Sequence, residues 1–169
     1  PLEIVVGDSE GAPDIAKRIA RKFVSDPKIV AEIGDFTSSC SMAAQPVYDK
    51  AGMVQMSPTS SHPGFTHGSP YSFSIIGAQA GGSPFMARAA VERLGKKRLA
   101  VAYLDTDWGI SVKTLFVEEA ARLGAEIVLE ESYLEGTTDF SATIKRLRAA
   151  QPDALFLASM PPDAVAISK

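Results

Sequence analysis

"LAVAYLDTDWGISVKTLFVEEAARLGAEIVL", residues 99–129, decides the fold. Its first six residues, 99–104, carry no charge and read as a strand of a buried sheet. Val112, Leu115, Phe116, Ala120 and Leu123 then share one face of a helix, and Gly124 ends it. Residues 127–129 begin another short apolar run. Strand, helix and strand in immediate succession make the repeating unit of a parallel sheet.

The same rhythm extends in both directions. Toward the N-terminus, residues 2–6, 29–33, 53–57 and 71–76 read as strands. Between the first two, Pro13 and Asp14 suit a first helical turn, and Ile15, Ile19 and Phe23 make a stripe at spacing four. A second helix carries Met42, Val47, Tyr48 and Ala51 and stops at Gly52; Pro46 should kink it or set back its start. A further helix runs through Phe85, Met86, Ala89, Ala90 and Leu94 to Gly95. Beyond the opening stretch, "TTDFSATIKRL" (137–147) caps and starts a helix with Phe140, Ile144 and Leu147 inward. Residues 154–158 form the last strand, and a helix begins near Pro161. The expectation is an α/β fold with parallel sheets covered on both faces. One segment breaks the alternation: "IIGAQAGGSPF", 75–85, with Gly77, Gly81, Gly82 and a proline. That composition fits a hinge or a loose connection, and is read as a crossing near 77–82 between lobes 1–78 and 79–169.

Composition narrows the function. With 169 residues, 46% hydrophobic, the chain can bury a real core. Lys+Arg number 17 and Asp+Glu 20, a net charge of −3 without a basic stripe, which gives no electrostatic case for nucleic acid or an anionic membrane. No apolar stretch approaches the roughly 20 residues that span a bilayer. The first residues, "PLEIVVGDSEG", lack the pattern of a signal peptide. A single cysteine, Cys40, excludes an intramolecular disulfide and a Cys-rich zinc site.

Catalytic patterns are missing as well. The sequence holds no G-x-S-x-G elbow, no phosphate-binding P-loop and no dinucleotide fingerprint. His62 and His67 lie five apart without a helical frame, and "DTDWG" (105–109) puts Gly109 where a calcium loop needs an oxygen ligand. Ser61, His67 and Asp35 make a triad only on paper. No enzyme activity, cofactor or metal is expected.

In open parallel sheets, ligands bind beyond the carboxyl ends of strands. The segments there are "GDFTSSCS" (34–41), "SPTSSHPGFT" (57–66), "DTDWG" and "SMPPD" (159–163). The first two are rich in small hydroxyls at helix starts, where backbone N–H groups favour an anion. Each hydroxyl is also readable as a helix cap. The third segment carries the one tryptophan, Trp108.

"AEIGDFTSSCSMAAQPVYDKAGMVQMSPTSSHPGFT" (31–66) is similar to the solute-binding proteins of branched-chain amino-acid ABC transporters. The glycine-rich crossing, "DTDWGISVKTLFVEEAARLGAEIV" and "TTDFSATIKRLRAAQPDALFL" continue the resemblance in order. It implies the type I periplasmic-binding fold: two doubly wound, Rossmann-like lobes closing on a small molecule by a hinge at Gly77, Gly81 and Gly82. In this family Ser38 matches the hydroxyl and N–H that hold the ligand carboxylate. Thr59 and Ser61 match a pair contacting carboxylate and α-amino group, with Ser39 and Ser60 beside these positions. Trp108 and Met160 fall where the family commonly has tyrosines, which implies a larger, more apolar wall. The resemblance also implies a chain incomplete at both ends, its first lobe lacking a central strand.

The expected protein is a non-enzymatic solute-binding component of an ABC importer, periplasmic or extracellular, with a membrane permease as partner. Its expected ligand is a small carboxylate-bearing molecule in an interlobe cleft: a branched-chain or other amino acid, or an aromatic or larger apolar acid. The alternative is the ligand-sensing domain of an amide or amino-acid regulator or receptor.

Overall fold

The computed structural model describes residues 2–169. The chain divides into two compact units, one reaching Ala78 and one covering Gln79–Lys169, and each contains a three-stranded parallel sheet.

The first unit has strands β1 (Ala31–Ile33), β2 (Val54–Ser57) and β3 (Ser72–Ser74), in the order β1-β2-β3. Helix α1 (Pro13–Ser25) opens with Pro13 in its first turn and Asp14 beside it, where a fixed φ and a negative charge both help. It buries Ala16, Ala20 and Phe23, and the last two pack with Ala44, Tyr48 and Met53. Helix α2 (Ser38–Ala51) ends at Gly52, whose φ of 66° is left-handed and suits glycine. Pro46 lies inside α2, yet the helix still begins at Ser38. A five-residue helix α3 (Pro63–His67) occupies part of the loop between β2 and β3.

The second unit has β4 (Arg98–Leu104), β5 (Glu126–Tyr133) and β6 (Ala154–Ala158), in the order β5-β4-β6. Central β4 is apolar on both faces. Leu99 and Val101 pack with Ala87, Phe116 and Ala120; Ala100 and Leu104 pack with Tyr133, Phe140, Leu147 and Ile167. Phe116 stacks on Phe156 with ring centroids 4.0 Å apart. The helices are α4 (Gln79–Arg88), continued by a π-helical turn Ala89–Arg93, then α5 (Asp107–Arg122), α6 (Ser141–Ala150) and α7 (Pro161–Ser168). Among the described residues no helix is long and apolar enough to cross a membrane.

Three expectations are corrected. Residues 2–6 do not form a strand: no described neighbour supplies a ladder, and Leu2 stays 97% exposed. The first sheet is not covered on both faces, because Ile33, Met56 and Phe73 point to a face that no described helix crosses. Gly81 and Gly82 are not in a loop but in the first turn of α4, where Ser83 Oγ donates to Gln79 Oε1 at 3.0 Å. The expected helix through Phe85 and Met86 forms, with both of these exposed and Ser83 and Ala87 on its buried side.

Candidate functional site

In the first unit, β1 and β2 are parallel neighbours, with Ile33 opposite Met56, so the segments leaving them start side by side. The β1 segment delivers Ser38 at the start of α2. Thr37 caps that helix, its Oγ1 accepting from Cys40 N at 3.3 Å. The β2 segment delivers Ser57, Thr59, Ser60 and Ser61, and His62 Nδ1 accepts from Gly64 N at 3.0 Å to cap α3.

Hydroxyls bind the two segments into one body. Ser57 Oγ lies 2.9 Å from Asp35 O and 2.8 Å from Ser60 Oγ, one proton serving two acceptors. It also accepts from Ser60 N at 2.9 Å. Ser60 Oγ lies 2.7 Å from Ser41 Oγ on α2, and Ser74 Oγ of β3 donates to Ser60 O at 2.7 Å. Thr59 Oγ1 donates to Phe36 O at 2.6 Å. Every one of these groups would be costly to bury alone, and together they are satisfied.

This network sorts the predicted residues. Ser60 is buried and its hydroxyl is committed to Ser41 and Ser57. Thr59 commits its hydroxyl to Phe36 O and its N–H to Ser57 Oγ at 3.3 Å, so it ties the two segments together. Ser38 is buried; its Oγ accepts from His62 N at 3.4 Å, a bond that does not use the hydroxyl proton. Ser61, the residue before His62 on the β2 segment, is buried, and Ser39 is half-buried in the first turn of α2. The paper triad is not assembled: Asp35 Oδ1 takes the Ser9 hydroxyl at 2.6 Å, and His67 Nδ1 faces Pro63 O at 3.0 Å.

Beneath these segments lies a polar layer that the sequence did not reveal. Glu32, Gln55 and Ser72 are in register across the three strands and all turn inward. Gln55 Nε2 donates to Ser41 O at 3.1 Å, which pins α2 to the sheet. Glu32 has one carboxyl oxygen, Oε2, without a partner among the described residues. Burial, and then the nearby Asp35 carboxylate, push Glu32 up to about 8. Burial, Glu32 and Asp35 together push the Tyr48 hydroxyl upward as well.

In the second unit, β4 and β6 are parallel neighbours, with Tyr103 opposite Ala158. Trp108 is half-buried in the first turn of α5, after the Thr106 cap, whose Oγ1 accepts from Gly109 N at 3.2 Å. Only glycine fits at 109: a Cβ there would stand 2.0 Å from Leu104 O. Met160 is the residue before α7 and packs partly buried against the Leu104–Tyr133–Phe140 cluster. Gly77 precedes α4 in the link between the units. Among the described residues no group of three His, Cys, Asp or Glu side chains is placed to hold a metal ion.

Both units therefore present polar or aromatic side chains at the ends of adjacent parallel strands. An amino acid binding protein of Pseudomonas aeruginosa is 27% identical over 96% of this chain, which spans 44% of that protein's length. A solute binding protein of an ABC transporter from Rhodopseudomonas palustris, solved with 3,4-dihydroxybenzoic acid, is 25% identical with a TM-score of 0.83, over 92% of this chain and 42% of its own. A leucine binding protein of Thermotoga maritima shares the fold with a TM-score of 0.92 at 24% identity, over 98% of this chain and 47% of its own. The model of the periplasmic binding protein family matches residues 1–169, and the chain belongs to that family, with its type I fold.

Proposed function

We propose that this chain is part of a solute-binding protein of an ABC importer, and that its first unit holds the carboxylate of a small ligand. The observation that carries this reading is the hydroxyl-bound pair of segments after β1 and β2. A carboxylate brings about four acceptor sites and no donor, and needs several N–H and O–H partners to be desolvated. Ser38 and Ser61 are the proposed receptors, with Ser39 beside them at the N-terminus of α2, where the helix dipole favours negative charge. Thr59 and Ser60 act differently, by holding the receptor segments in place.

The ligands named for the relatives support this choice of chemistry. Amino acids and a dihydroxybenzoic acid share only a carboxylate on an otherwise variable body. Trp108 and Met160 are the second unit's proposed contacts to that body, and their size favours a large apolar or aromatic one over a small aliphatic one. The protein works in the periplasm or outside the cell on this reading, handing its ligand to a membrane permease. Native mass spectrometry of the full-length protein, as purified, tests it. A retained small carboxylic acid or amino acid is the expected result. A retained neutral sugar or amide would contradict the carboxylate assignment.

A further inference from the structure

Tyr133, the last residue of β5, connects more of the second unit's strand ends than a core aromatic requires. It is buried, and its ring meets Phe140 edge-on at 5.1 Å. A phenylalanine would fill that space equally well, and a buried hydroxyl is costly unless it is bonded. The hydroxyl is bonded: it donates to Asp163 Oδ2 at 3.1 Å, in the first turn of α7. The same residue's carbonyl accepts from Asp105 N at 2.8 Å, at the start of the segment that carries Trp108. Because β5 and β6 flank β4, the Tyr133 side chain reaches across the end of β4 to do this.

We propose that Tyr133 is a positioning residue for ligand binding, fixing the β6–α7 segment through its hydroxyl and the β4–α5 segment through its carbonyl. Trp108 and Met160 are thereby presented from one anchor rather than from two independent loops. This inference rests on the reading of those two side chains as ligand contacts.

Tyr133→Phe in the full-length protein separates the two links, since the carbonyl remains and only the hydroxyl goes. Hydrogen exchange followed by mass spectrometry should show amides of 159–164 exchanging about tenfold faster, the effect of one lost charge-assisted hydrogen bond. Amides of 99–109 should keep the wild-type rate. Asp163→Asn retains an acceptor oxygen and should give a smaller change in the same segment. Acceleration spread evenly over the second unit would reduce Tyr133 to core packing and overturn the proposal, as would unchanged exchange at 159–164. Calorimetry with L-leucine and L-phenylalanine as probes reads the consequence for binding. Where the wild type binds either one, Tyr133→Phe should weaken it about tenfold, and affinity within a factor of two would overturn the link to binding. If the wild type binds neither probe, leucine and phenylalanine are excluded as its ligands, and the exchange result still decides whether Tyr133 fixes the β6–α7 segment.

Discussion

In the second unit, β4 buries apolar side chains on both of its faces, whereas in the first unit β2 turns Gln55 and Ser57 inward and leaves Met56 outward. The inner face of the first sheet is thus a row of carboxyl, amide and hydroxyl groups under α2. The difference separates two ways of holding a sheet and helix together. Apolar packing in the second unit is tolerant of direction and gains by area. The polar layer in the first unit is worth little net stability per bond, but each bond fixes a geometry and each loss exposes an unsatisfied group. Rigid, directional support of this kind suits the carboxylate receptors proposed at Ser38 and Ser61.

The contrast can be broken from the apolar side first. Phe116→Ala removes a ring stacked on Phe156 in the second unit's core and should cost about 3–5 kcal/mol. Denaturant unfolding of the full-length protein measures it; a loss below about 1 kcal/mol, the scale of a mere surface change, would deny that this core stabilises the unit.

A second, smaller effect belongs to Glu32. Its value is raised from 4.5 to about 8, first by burial and then by Asp35, so the folded protein holds a proton that the unfolded chain releases. The stability associated with that proton is fully present below 4.5 and is lost as pH rises through 8. Glu32→Gln keeps the shape without the charge. The variant should gain on the wild type as pH is raised from 5 to 9, by at most about 4 kcal/mol, the three pH units between 5 and 8 at about 1.4 kcal/mol each. Parallel pH–stability curves would show that Glu32 is not desolvated in the polar layer.

The smallest change sharpens the role of the hydroxyl ties. Thr59→Val deletes the bond to Phe36 O and should cost about 0.5–1.5 kcal/mol. Thermal unfolding reads that cost, and faster hydrogen exchange confined to 35–38 and 57–61 shows where it falls. Exchange unchanged in both segments would mean that the tie does not order them.

The second unit was legible in the sequence because its central strand is packed by apolar side chains on both faces. Burial on both faces makes β4 an uninterrupted apolar run, and α5 shows an apolar stripe between a cap and a glycine. The length of β5 was hidden because Glu130 and Glu131 stand on an edge strand, where Lys113 and Arg146 pair with them. In the first unit the same reading misled. Residues 2–6 have strand composition, but a ladder needs a neighbour, and composition does not supply one. The polar layer was invisible since Glu32, Gln55 and Ser72 are far apart in the chain and meet only through register. The hydroxyl clusters stood out as residue types, yet their proposed division into receptors and ties rests on the bonds that Thr59 and Ser60 make, which residue type does not reveal. Ser57 and Ser41, the hubs of that network, carried no distinguishing signal, and neither did the hydroxyl of Tyr133.

The carboxylate claim is tested most directly by titrating full-length wild type, Ser38→Ala and Ser61→Ala with L-leucine and with its amide. Each hydrogen bond to a charged group contributes on the order of 1.5–3 kcal/mol, so each substitution should weaken carboxylate binding roughly 10- to 100-fold. Affinity for the amide should change much less. If both variants bind L-leucine within a factor of two of wild type and only unfold at lower temperature, these hydroxyls are helix caps and the first unit does not read the carboxylate.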